Sequence, residues 1–150
     1  MEKHWIRGMA IVLVLSLMLI APLAFLPASV EAKALKGNKI GLLYETPKTL
    51  PANQPSYVAH GSSWDNWSEM PKELRKMSRS DDLTYFKLFI NGKEIGLKKD
   101  FTRIDANNVT KVWSVQFKAN HFAPGTYTFT GVWREWGLLE WTTNVLVTFT

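Results

Sequence analysis

The clearest pattern in the chain is an alternation of apolar and polar residues that begins near Leu83 and runs to the C-terminus. From Leu83 to Ile90, Phe86, Leu88 and Ile90 share one side, while Leu83, Tyr85, Lys87 and Phe89 share the other. A period of two sends successive side chains to opposite faces, so this run predicts a half-buried β-strand. Asn91-Gly92 follows at once. Both residues tolerate positive φ, as a tight hairpin turn requires, and residues 93–99 are expected to return as its second strand. Residues 100–108 read as a connection. Over 111–119, Trp113, Val115 and Phe117 oppose Val112, Ser114, Gln116 and Lys118. Pro124-Gly125 then turns the chain into 126–136, where Tyr127, Phe129 and Trp133 oppose Thr126, Thr128, Thr130 and Arg134. Gly131 falls on the core side, which predicts a bulge or a close approach of a neighbour. A turn near Gly137 leads to a last strand with Trp141, Thr143, Val145, Val147 and Phe149 on one face.

Upstream of Leu83 the pattern is weaker. Residues 39–45 suit a first strand, and 56–60 a short one. Pro47, Pro51 and Pro55 make 46–55 an extended loop. His60 and Gly61 are expected to turn into a polar stretch, His60–Met70, that carries Trp64 and Trp67. A short helix is predicted over about 68–78, with Ser68 able to cap it and Pro71 in its first turn. Strands at short intervals joined by hairpins, with one inserted helix, predict an all-β, antiparallel sandwich.

The N-terminus is of another kind. Lys3 and Arg7 precede an uncharged apolar run, residues 9–26, and Val30-Glu31-Ala32 follows. That order is a secretory signal with a cut after Ala32. Its 18 residues would also just span a bilayer as a retained anchor. The expected organisation is therefore a signal or anchor over 1–32 and one β-sandwich domain over 33–150, located outside the cytoplasm. On this reading a membrane is met only through an uncleaved N-terminal segment.

Composition narrows the chemistry. There is no cysteine, so neither a lipid-anchoring cysteine nor a disulfide is available, and the domain must stand on packing. The formal net charge is +5. Glu2, Lys3, Arg7 and Glu31 cancel, so the whole surplus lies in 33–150. No arginine-rich block or nucleic-acid motif accompanies it, and no nucleic-acid role is assigned.

Pro124-Gly125-Thr126-Tyr127, with the two strands that follow, resembles the end of immunoglobulin-like domains in secreted prokaryotic proteins. The resemblance covers about the last quarter of the chain and implies an immunoglobulin-like sandwich, with the tyrosine packing or bonding near the corner. The same PGTYTFTG run (124–131) resembles a bacterial family of small β-sandwich proteinase inhibitors. The NPTTG-like and GxGG loops of the chagasin-type inhibitors are missing, as is the Cys…Trp…Cys signature of true immunoglobulin domains.

Catalytic and metal signals are sparse. His60 and His121 are sixty residues apart, whereas zinc sites show paired ligands at short spacing. Asp65 and Glu69 could complete a set only by convergence. Ser62, Ser63 and Ser68 lack a nucleophile elbow. No cofactor is expected, and no enzymatic role. The surface aromatics are more informative: Trp64, Trp67, Tyr85 and Trp136 are the candidate contact residues, set against the simpler reading that Trp64 and Trp67 pack the helix onto the sheet. The expected function is a non-catalytic extracytoplasmic module that binds a surface glycan or a partner protein. The alternatives are an extracellular proteinase inhibitor that uses hairpin 91–92 or 136–140, and a small metal-binding protein that uses His60, Asp65 and His121. Sequons stand at Asn66 and Asn108.

Overall fold

The computed structural model of the chain describes residues 35–42, 47–105 and 107–150. The expected signal or anchor helix, 1–32, lies outside the described residues. In chain order the elements are β1 (Asn38–Lys39), β2 (Lys48–Leu50), β3 (Ser56–Trp64), α1 (Lys72–Arg79), β4 (Tyr85–Ile90), β5 (Lys93–Ile95), β6 (Lys98–Arg103), β7 (Val109–Phe117), β8 (Gly125–Arg134) and β9 (Trp141–Phe149). One sheet has the order β1-β3-β7-β6 and the other β2-β9-β8-β4-β5. Among the described residues the fold is all-β with one short helix.

The alternating runs become the inner strands. Phe86, Leu88 and Ile90 of β4, Phe129 of β8, and Val145, Val147 and Phe149 of β9 are buried in one cluster with Val58, Trp113 and Phe117 of the other sheet. Burying each such side chain contributes roughly 1.5–3 kcal/mol, which is what holds two sheets together without a disulfide. Asn91 and Gly92 both take positive φ, 49° and 78°, and the β4–β5 hairpin closes as expected, with Ile90 opposite Lys93. Gly131 makes a close approach without a bulge. Its register runs unbroken, opposite Leu88 and Thr143, and a Cβ there would lie 3.1 Å from both Leu42 Cδ1 and Phe86 Cε2. Tyr127 donates its hydroxyl to the Ala123 carbonyl at 3.1 Å, fastening the corner before β8.

Several expectations need correction. Residues 93–99 are not one return strand: β5 stops at Ile95, and β6 starts at Lys98 in the opposite sheet, along β7. The residues read as a connection thus supply most of a strand. β6 is an exposed, polar edge, so it lacks the apolar alternation that reveals inner strands. Likewise β3 runs on through His60 and Gly61 to Trp64, paired throughout with β7, where a turn was expected. The proline-flanked segment contains β2, and of the described part of 39–45 only Lys39 belongs to a strand, the two-residue β1. Both short strands pair parallel to their neighbours, so the sheets are mixed rather than purely antiparallel. The helix starts at Lys72, with Pro71 preceding it, and Ser68 does not cap it; the Ser68 hydroxyl donates instead to Asn107 Oδ1 at 2.7 Å.

Candidate functional site

The helix end of the molecule gathers three of the four candidate rings. Trp64 and Trp67, each 4% exposed, form a second buried cluster with Met70 and Val109, and Leu74 and Trp136 pack against it. Trp64 ends β3, Trp67 sits in the turn that follows, and their ring centroids are 6.1 Å apart. Phe101, from the edge strand β6, lies against both. Arg79, in the last turn of α1, lays its guanidinium over Trp67 at 5.3 Å. These tryptophans therefore pin the helix to the sheet, and their rings are not an open platform.

Trp136 is locked from several sides. Its φ is +54°, a conformation that costs a bulky residue, and neighbouring groups hold it there. Its backbone N–H donates to Thr84 Oγ1 at 3.1 Å, its indole Nε1 donates to Ser78 Oγ at 2.8 Å, and the next N–H, of Gly137, donates to the Leu83 carbonyl at 2.7 Å. The β8–β9 hairpin is thereby tied to the segment that ends α1.

A buried lysine completes that tie. Lys111 on β7 is 1% exposed, and its Nζ donates to the carbonyls of Ser78, Arg79, Ser80 and Thr84 at 2.8–3.5 Å. It also meets Asp81 Oδ1 at 3.1 Å and lies 5.2 Å from the Trp113 ring. An ammonium among the last carbonyls of a helix satisfies acceptors that the helix cannot, and it complements the negative end of the dipole. Burial pushes the Lys111 pKa down, while the bond to Asp81 pulls it back up. Asp81 is held below the usual carboxylate range, first by its hydrogen bond from Lys99 and then, against some desolvation, by Lys111. Lys111 escaped the sequence reading, although a signal exists. It has the same parity as Trp113, Val115 and Phe117, and so belongs to the core face of its strand.

Tyr85 stands apart from the tryptophans. Where β5 ends and the chain crosses between sheets through Gly96 and Leu97, the edges part over a cleft of about 390 Å³. Phe86 and Trp113 lie at its floor, Tyr85 at its side, and Lys87, Lys99, Asp81 and Glu94 around it. The Tyr85 hydroxyl donates to Glu140, which raises its pKa, and Lys87 Nζ sits 5.3 Å from the ring centre. A second recess, about 440 Å³, lies along β6 and β7, lined by Lys98, Asp100, Thr102, Thr110, Ser114 and Gln116 among others.

The residues of the metal reading are placed separately. His60 stacks on Phe86 at 4.6 Å between centroids and leans on Trp113 and Trp133. Burial, with a contribution from Lys39, lowers its pKa to about 4, so it is neutral at physiological pH. His121 packs on Phe117 and Phe122, and Asp65 and Glu69 are exposed. Among the described residues no three His, Asp or Glu side chains gather as a metal site would need. Ser62, on β3, donates to Glu135 rather than to a histidine.

The fold and cleft define an all-β protein with two sheets, a helix-covered end and an open recess at one edge. No protein-family model matches the chain, and no curated protein matches it.

Proposed function

We propose that the domain is a non-catalytic, extracytoplasmic binding module of the immunoglobulin-like sandwich type, and that it takes a surface glycan in the cleft beside Tyr85. One observation carries the reading: among the four candidate rings, Tyr85 lines an open cleft, whereas Trp64 and Trp67 are buried in packing. The cleft's volume falls within the range of roughly 300–1,000 Å³ usual for small-ligand sites. Its chemistry suits a sugar. Tyr85 offers a partly exposed ring beside the buried Phe86 and Trp113, and the charged groups around it can hydrogen-bond hydroxyls. The immunoglobulin-like assignment is supported by two sheets around one core and by the Tyr127 corner, and the location by the signal-like N-terminus.

The test is a panel of soluble cell-surface polysaccharides, read by tryptophan fluorescence, since Trp113 lies at the cleft floor. A saturable change with at least one polysaccharide is expected, and Tyr85→Ala is expected to weaken it by about tenfold, the worth of roughly 1.4 kcal/mol. If no polysaccharide changes the signal, or Tyr85→Ala binds as the parent does, the glycan reading fails.

A further inference from the structure

The second recess, along β6 and β7, has no part in the glycan reading, yet it adjoins the Tyr85 cleft. Gly96 lines both hollows. It lies on the short stretch that carries the chain from β5 in one sheet to β6 in the other. Neither conformation nor packing demands a glycine there: its φ is not positive, and a Cβ would meet nothing within 4 Å. What the missing side chain does is keep the backbone clear where the two hollows meet, as a close approach to a ligand requires.

Strand register joins the hollows a second time. Lys98 stands opposite Ser114, and Lys99 opposite Trp113. Successive strand residues face opposite sides of a sheet, so Lys98 and Ser114 line the second recess while Lys99 and Trp113 line the Tyr85 cleft. Ser114 and Trp113 are more than nine-tenths buried, at 7% and 5% exposure, and each carries a polar group without a partner. The Ser114 hydroxyl and the Trp113 indole N–H have no hydrogen bond among the described residues, and neither is sealed from solvent as Arg134 Nε is. Buried polar groups are ordinarily paired, so an unpaired one that opens onto a hollow marks a place for a ligand's polar atom. The Thr102 hydroxyl, beside Ser114 in the second recess, is unpaired as well. Lys98 and Lys99 are paired with Asp100 and Asp81, which leaves these hydroxyl and N–H groups to do the bonding.

We infer that the two hollows are one groove for a linear polysaccharide, running from Tyr85 over Gly96 to Thr102. The inference rests on the glycan reading of the cleft and specifies its ligand as an extended run of several sugar units. The hollows measure about 390 and 440 Å³. Each lies in the lower part of the range of roughly 300–1,000 Å³ usual for a single small ligand. A polysaccharide that bridges both makes contacts that a short fragment confined to one cannot make.

The probe is a ladder of fragments, disaccharide to octasaccharide, cut from the polysaccharide that gives the largest saturable fluorescence change in the panel. Each is titrated into the protein by calorimetry. Affinity should rise by about tenfold from disaccharide to hexasaccharide and then level off where the groove ends. Ser114→Ala with Thr102→Ala should remove that gain. Gly96→Phe, whose ring would stand where the hollows meet, should bring the hexasaccharide down to the affinity of the disaccharide, at unchanged near-UV circular dichroism. Equal affinity at every length, or a gain that survives both variants, overturns the groove and leaves a sugar site at Tyr85 standing. If no polysaccharide changes the signal, the glycan reading and the groove fall together.

Discussion

The inter-sheet core and the helix end solve the same problem by different means. Between the sheets, aliphatic and phenylalanine side chains from regular strands interdigitate, and little polar chemistry is needed. At the helix end, two tryptophans, a methionine and a valine form a smaller cluster, and polar groups fix what they cover. Lys111 collects carbonyls from the end of α1, Trp136 donates to Ser78, and Ser62 bonds Glu135. The contrast teaches that a β-sandwich can be stabilised by periodic burial while its irregular cap is held by a few directional contacts. Damage to the first region should be global, and damage to the second local.

The largest expected effect lies in the core. Phe129 is fully buried and touches Phe117, Phe122 and Phe149, so Phe129→Ala should lower unfolding free energy by about 4 kcal/mol. Urea denaturation checks this, and a loss under 1 kcal/mol would mean that the two sheets do not share this core. Next comes pH. The folded pKa of His60 is near 4 against 6.5 for an unperturbed histidine. Below pH 6.5 the unfolded chain takes up a proton that the fold refuses. This contribution is therefore complete above pH 6.5 and disappears as pH falls to about 4, for a total on the order of 3 kcal/mol. Melting temperatures across that window should fall steeply for the parent and less for His60→Gln; parallel curves would contradict the assignment. The smallest effect concerns the cap. Trp136→Phe keeps an aromatic ring but removes the hydrogen bond to the buried Ser78, and should cost about 1 kcal/mol.

How much was readable follows the same division. Phe86, Leu88, Ile90, Phe129, Val145 and Val147 were legible because a buried face in a strand must repeat every second residue. The Asn91-Gly92 turn was legible because few other residues accept those angles. The edge strand β6 was not, since a strand exposed at nearly every position carries no alternation. The run from His60 to Trp64 hid its strand character behind glycine and serines, whose small side chains say little about pairing. Of the candidate contact residues, Trp64, Trp67 and Trp136 come together as packing, and Tyr85 lines a cleft. For Lys111 the strand parity marks an inward position, but not what could satisfy a charge there. Its burial depends on carbonyls about thirty residues away, which only the tertiary fold brings to it.

Whether the cap opens locally when its buried ammonium is lost is tested most directly by amide hydrogen exchange on Lys111→Met beside the parent. Removing the ammonium leaves buried carbonyls unpaired, worth roughly 1–3 kcal/mol. Loss of protection should concentrate in residues 72–84 and the Trp136–Gly137 turn, with Phe129 and Val147 amides exchanging as before. A uniform acceleration across both sheets, or no change in α1, would contradict the account.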